Sequence, residues 1–278
     1  MTTATRERSA LFDCLHALVD EAQGPKDYLC ISARREHGAK SVAMEQPTLA
    51  LVLSGTKRIR GSGYAMDVEQ GGAFLVTRAC SFDAIHVPDP ETDLYLTLAV
   101  PLCGEVISAA RLLWSDPIGQ SGLDVVAFTA EQLEAELTAW ASALRKGAYG
   151  EARLALTAIL MRLCQWGHTA ILAPAPPTVA AQVRAIVAGK PDRDWQSSDF
   201  EEALGLSGAT LRRRLSAERT SLSSTVTEAR LACALELLYT TRWPVKTVAS
   251  RVGYRSPATF SRRFTERYGM EPGHIGNA

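Results

Sequence analysis

Three prolines in four positions, Pro174, Pro176 and Pro177, divide this chain. Proline fixes φ and removes a backbone donor, so the stretch supports neither helix nor sheet ladder and reads as an extended, semi-rigid connector. The charge changes sign at the same place. Of the 30 basic and 30 acidic residues, 15 basic and 10 acidic follow Pro177, a balance of +5, while 15 and 20 precede it, a balance of −5. A formal net charge of zero therefore conceals an acidic half and a basic half, and excludes a uniformly basic nucleic-acid coat. We expect one domain over residues 1–172, a linker at 173–178 and a second domain at 179–278.

The acidic half opens with apolar residues at helical spacing over 6–22, halted by Gly24-Pro25. Short runs rich in β-branched and aromatic residues follow at 28–33, 48–53, 56–60, 73–77 and 94–100. They are parted by Gly55, Gly61-Ser62-Gly63, Gly71-Gly72 and Pro88-Asp89-Pro90, the texture of a small antiparallel barrel. Helices are expected at 102–114, 130–146 and 148–166. In the last, Leu154, Ile159, Leu160, Leu163 and Trp166 cover much of the circumference, one side for the barrel and another suited to a second copy, so a homodimer is expected. No run of eighteen apolar residues and no cleavable leader pattern occur, which makes a cytoplasmic protein with no membrane partner the expectation. Cys14, Cys30, Cys80, Cys103, Cys164 and Cys233 form no CxxC pair; they read as small buried apolar residues, with no zinc ribbon and no disulfide scaffold.

Beyond the linker the signals are helical and come twice. Ser198-Asp199-Phe200-Glu201 has the form of a capping box, Gly205 marks a turn, and Ser207 can cap a helix through GATLRRRLSAE. Pro244 then suits the first position of a helix through VKTVASRV. Gly253 supplies a turn, and Ser256-Pro257 pairs a cap with a first-turn proline before ATFSRRFTERY, which Gly269 ends. A long helix over 222–239 joins the two units. With about 100° per residue, Leu211 and Leu215 define an inward stripe in the first capped helix and Arg213 falls opposite it; Phe260, Phe264 and Arg262 repeat the layout in the second. An arginine held outward on a rigid helix can donate both of its N–H edges to guanine O6 and N7. Ala209, Thr210 and Arg212 flank the first such position, and Ser256, Ala258, Thr259 and Ser261 the second. Ser207, Arg214 and Arg263 stand where phosphate contacts are expected.

At these residues the sequence resembles the AraC/XylS family of bacterial transcription regulators, over about 178–273. The resemblance rests on Arg230-Leu-Ala-x-Ala234-x-x-Leu-Leu238, on Val245-x-x-Val-Ala249-x-x-Val-Gly-Tyr254-x-Ser256-x-x-x-Phe260-Ser-Arg-x-Phe264, and on Gly269-x-x-Pro272. It implies an α+β protein: an N-terminal cupin-like β-barrel with flanking helices, and a C-terminal all-α domain of two helix-turn-helix units joined by one long helix. It also implies double-stranded DNA and RNA polymerase as partners, with the second helices in successive major grooves. Two departures stand out: Arg219 occupies a place where the family usually has Gly, and Gly273-His-Ile-Gly276 replaces the family's tail. The N-terminal half resembles the family's sensor domains more weakly, through TLALVLSGTKRI.

For the barrel three readings stay open: a small-molecule effector pocket, a docking surface for a protein partner, and a metal-dependent enzyme. Arg34, Arg35, His37, Tyr64, Arg78 and Tyr95 are the candidate effector contacts. His16, His37, His86 and His168 form no HxH or HxxxH pair, although His37 and His86 could meet in space; no cofactor and no metal site is expected. Cys80 beside Arg78 is a redox candidate if the guanidinium lowers its thiol pKa. Gly61-Ser62-Gly63 lacks the GKS/T that a phosphate cradle needs.

Overall fold

A computed structural model describes residues 10–20, 28–119, 122–173 and 178–275. The expected Gly24-Pro25 stop and Pro174–Pro177 connector lie outside those residues. Two compact units result, one of residues 1–36 with 42–173 and the other of 37–41 with 174–278.

In the first unit, nine antiparallel strands make two sheets. One is ordered β1 (Leu29–Ala33), β8 (Tyr95–Pro101), β3 (Thr48–Ser54), β6 (Gly72–Val76), β9 (Val125–Thr129). The other is ordered β2 (His37–Met44), β7 (Cys80–Val87), β4 (Thr56–Gly61), β5 (Tyr64–Glu69). The central strand β3 is buried at every position because alternate side chains feed two different cores. Leu49, Leu51 and Leu53 join a core with the helices α1 (Ala10–Asp20), α2 (Gly104–Leu113), α3 (Glu134–Arg145) and α4 (Tyr149–Gln165), around Trp140. Ala50 and Val52 face the other way, into an inter-sheet core with Ile59, Val68, Phe82, Ala84 and Tyr95. Gly55 makes the β3–β4 turn at φ +74, and a Cβ there would stand 2.3 Å from the Val87 carbonyl oxygen, so no other residue fits.

The five strands read from sequence are present within about a residue. Sequence reading missed β2, β5, β7 and β9. In β2 the exposed face is too polar or small to make an apolar run: it reads HGAKSVAM, with Lys40, Ser41 and Ala43 exposed. In α4, Ile159, Leu160 and Leu163 are fully buried as expected, whereas Leu154 and Trp166 point outward, 69% and 38% exposed. Of the six cysteines only Cys164 is buried; the others are partly exposed, which corrects the expectation for most of them.

The second unit is helical: α5 (Val179–Gly189), α6 (Ser197–Leu204), α7 (Gly208–Ala217), α8 (Leu222–Thr240), α9 (Val245–Arg251) and α10 (Pro257–Tyr268), followed by one 3-10 turn at Pro272–His274. Helix α5 was not anticipated. It packs along α8, and Val183 and Val187 join Phe200, Leu211, Leu215 and Ala229 in one core. Its N-terminus is held from a distance in sequence: the Glu218 carboxylate accepts from the Val179 and Ala180 N–H groups, both at 2.8 Å. Such a two-N–H cap places negative charge at the positive end of the helix dipole.

Two expected helix starts move. Helix α6 begins at Ser197, and the Asp199 carboxylate accepts from the Gln196 N–H at 2.8 Å while pairing with Arg193 at 2.6 Å. The Ser198–Glu201 box does not form; Glu201 instead accepts from the Ser197 hydroxyl at 2.8 Å. Pro244 is the residue before α9, not its first residue.

Candidate DNA-reading site

The turn between α6 and α7 is made by Gly205 in the left-handed region, and Ser207 caps α7 by accepting from the Thr210 N–H at 3.3 Å. Leu211 and Leu215 bury completely, one helical turn apart, which fixes the rotation of α7 and leaves Ala209, Arg212, Arg213 and Arg214 exposed and Thr210 half-buried.

The second unit repeats the construction with a stronger anchor. Ser256 caps α10 by accepting from the Thr259 N–H at 3.3 Å, with Pro257 at the first helical position. Tyr254, Phe260, Phe264 and Tyr268 form a run of ring contacts with centroids 5.4, 5.5 and 4.8 Å apart. Burial pushes the Tyr268 phenol up to about 12, so it stays neutral inside this core. With that face inward, Arg262 and Arg263 stand in solvent, Ala258 and Ser256 are exposed, and Ser261 and Thr259 are half-buried. Arg262 faces Glu266 of its own helix at 3.9 Å, and both side chains are about two-thirds exposed. A pair this loose is worth little and leaves the guanidinium available.

The α9–α10 turn is closely packed. Gly253 has φ +82, and a Cβ there would stand 2.9 Å from the Pro191 carbonyl oxygen and 3.1 Å from Arg230 Cζ. Arg230, on α8, donates to the Arg193 carbonyl at 2.7 Å, so the long helix is tied to the segment before α6. The 19 residues of α8 give a rod of about 28 Å. Thr225 and Ala229 are buried toward its start and Leu231, Ala234, Leu235 and Leu238 toward its end. Ala232 is exposed and Cys233 half-buried. Arg214 is exposed, while Arg263 donates to the Thr227 hydroxyl at 3.4 Å. Arg219 holds φ +58, the conformation that makes glycine usual there.

A helix-turn-helix domain family matches residues 201–278. The C-terminal region is an AraC-type helix-turn-helix domain. VirF of Shigella flexneri, a virulence regulon transcriptional activator, is 30% identical to this chain over 105 residues, which span 38% of this chain and 40% of VirF. NphR of a Rhodococcus species, a transcriptional activator, is 28% identical over 240 residues, 81% of this chain and 68% of NphR. ToxT of Vibrio cholerae shares the fold at 11% identity: its apo form superposes with a TM-score of 0.64 over 90% of this chain and 97% of ToxT. Its unsaturated-fatty-acid-bound form gives 0.60, at 12% identity over 88% and 92%. The likeness to ToxT covers 90% of this chain and so extends into the two-sheet N-terminal unit as well as the helical one.

The candidate effector residues of the N-terminal half do not converge. Arg34 and Arg35 are exposed in the turn between β1 and β2. Arg78 pairs with Asp124 at 2.8 Å and donates to the Gly122 carbonyl. Tyr64 lies across Gly61 at the β4–β5 hairpin. His37, in the short segment belonging to the second unit, stacks on Tyr239 with Nε2 3.2 Å from its hydroxyl oxygen. His86 packs on Tyr95, with ring centroids 4.6 Å apart. The Cys80 thiol is not lowered by Arg78: burial, then Asp124, push it up to about 11, and the opposing pull of Arg78 is the smallest of the three. An open cleft of about 650 Å3 bordered by Asp67, Glu69, Phe128 and Glu131 includes none of the candidates.

Of the candidates, Tyr95 lies in the inter-sheet core and Tyr64 packs against it; the polar neighbours of Tyr95 there are not among the expected contacts. His86 was considered only as a metal ligand and Lys57 not at all, yet Lys57 is in phase with the inward Ile59 of β4 in TKRIRG, a signal the sequence does contain.

Proposed function

We propose that this chain is a sequence-specific DNA-binding transcription regulator of the AraC/XylS type, controlled by a small molecule bound in its N-terminal two-sheet unit. The observation that carries the DNA-reading half is the repeated construction of α7 and α10: a serine cap, a fixed buried stripe and an exposed arginine opposite it, Arg213 and Arg262. Each arginine reads a base edge, with Ala209, Thr210 and Arg212 beside the first and Ala258, Thr259 and Ser261 beside the second. Ser207 and Ser256, at positively polarised helix starts, and Arg214 and Arg263 hold the phosphates. The rigid α8 rod sets the two readers toward successive grooves of one duplex face, about 34 Å apart.

The effector half is supported by the ToxT fold, one form of which holds an unsaturated fatty acid. An effector acts only if it binds two arrangements of the protein unequally. No described helix is long and apolar enough to cross a membrane, and a regulator of this kind works in the cytoplasm, recruiting RNA polymerase. Control by a docking protein, or by a second copy on α4, is favoured by one observation: Leu112, Leu113, Leu154 and Tyr149 are 88%, 61%, 69% and 55% exposed.

A binding selection from random duplexes tests the DNA reading. Arg213→Ala and Arg262→Ala should each relax base preference at two or three adjacent positions, by about 1–3 kcal/mol, with the two sets of positions about one helical turn apart. Unchanged preference in both variants would refute the assignment.

A further inference from the structure

Lys57 is almost wholly inside the N-terminal unit, 6% exposed, on the face of β4 that looks between the sheets. Its cross-strand neighbours are His86 on β7 and Val68 on β5. Nζ lies 2.5 Å from His86 Nε2, and His86 packs on Tyr95 with ring centroids 4.6 Å apart. The Tyr95 hydroxyl in turn accepts from Thr97 at 2.5 Å. His86, Tyr95 and Thr97 are 1%, 0% and 2% exposed. Of the titratable groups, His86 from β7 and Tyr95 from β8 face Lys57 and its partner, while Val68 is its neighbour on β5. Among the described residues no carboxylate pairs with Lys57. A buried lysine with no counter-ion costs stability that a methionine of similar length would not. Groups kept in so unfavourable a setting mark functional sites.

Away from this polar end the interior is apolar and adaptable. Along β4 and its neighbours the inward row runs from Lys57 past Ile59, Ala84 and Met66 to Gly61, which Tyr64 covers, a length of about 13 Å. Met66 and, from β2, Met44 are half-buried against this core, and thioether chains repack readily around a guest. We propose that Lys57 and His86 form the head of a carboxylate-binding site between the two sheets, with the apolar row taking the body of an amphipathic monocarboxylic acid. A single carboxylate matches one ammonium, whereas a phosphate ester would bring more charge than this interior neutralises. The carboxylate accepts from Lys57 Nζ, which takes up a proton as the acid binds. Burial lowers Lys57 to about 7, so that proton comes from solvent.

This names the ligand class of the effector site proposed above and rests on that reading only for its regulatory consequence. Isothermal titration of the full chain, without DNA, tests it with dodecanoate as the alkyl acid, 4-phenylbutyrate as the aryl acid and dodecanamide as the uncharged control. We expect one or both acids to bind and the amide not to. About half a proton should be taken up per ligand at pH 7 and about 0.9 at pH 8, read from buffers of different ionisation enthalpy, and affinity should fall about tenfold per pH unit above 7. Lys57→Met should weaken binding about tenfold to a hundredfold and abolish the uptake. The wild-type proton count decides the matter even if that variant does not fold. Binding of neither acid, binding without proton uptake, or equal binding of the amide would overturn the proposal. DNA selection is scored separately: specific DNA binding with no acid site leaves the regulator reading standing alone, and an acid site without specific DNA binding does the reverse.

Discussion

Replacing Lys57 by Met should make the N-terminal unit more stable at neutral pH, by an amount that shrinks as the pH rises. Lys57 falls from its ordinary 10.5 to about 7 in the folded chain, solely through burial. At 1.36 kcal/mol per pH unit, holding the charged amine in that interior costs about 5 kcal/mol below pH 7. Between 7 and 10.5 the unfolded chain keeps its proton while the folded one has lost it, so folding becomes steadily more favourable with pH. The cost is about 4 kcal/mol at pH 7, about 2 at pH 9, and vanishes above 10.5. Methionine removes it at every pH but strips the donor from His86, which costs about 1–3 kcal/mol. The variant should therefore be ahead by about 2 kcal/mol at pH 7 and level with the wild type near pH 9. Urea unfolding followed through the fluorescence of Trp140, fully buried in this unit, in a background with the other four tryptophans replaced by Phe, measures the difference directly and separates it from melting of the helical unit. A gap between variant and wild type that stays constant from pH 7 to 9 would refute the reasoning, since it would mean that Lys57 keeps its proton throughout and is solvated.

Glu218→Ala should cost the helical unit about 1–2 kcal/mol, because two α5 N–H groups lose their acceptor, and Glu218→Gln should recover part of it; chemical denaturation of both variants checks this. Gly253→Ala should cost about 2–3 kcal/mol, since the added Cβ meets the Pro191 carbonyl at 2.9 Å in a left-handed backbone, and thermal melts with DNA-binding measurements would show both properties falling together. Cys80 should react with iodoacetamide roughly a hundredfold more slowly at pH 7.5 than a free cysteine, as its thiol pushed up to about 11 leaves little thiolate; mass spectrometry of the alkylated peptide reads the rate.

The C-terminal half was legible because its signals are local. A serine three residues before a backbone N–H, a glycine at φ > 0 and two apolar side chains one turn apart are contained within a few residues, and Ser207, Gly205, Leu211 and Leu215 behave as read. The misses there have two sources. Helix α5 has its own Thr178 cap but is also held by Glu218, 39 residues on, and α6 starts from Asp199 accepting the Gln196 N–H, one step earlier than the serine pattern at Ser198 suggests. The N-terminal half inverts the proportions. β7 alternates CSFDAIHV, with Phe82, Ala84 and His86 inward, and only the register opposite β4 reveals that His86 meets Lys57. The residues chosen from sequence as ligand contacts were polar groups near strand ends, and Arg34 and Arg78 face solvent or pair there because ends are where water reaches. The buried polar pair was hidden by the reverse logic: a lysine in the middle of a strand reads as surface. The alternation test that places Ile59 inside places Lys57 inside as well. Applied to charged residues as strictly as to apolar ones, strand periodicity locates the costly interior group, and the cost is what marks it as the place where a ligand can act.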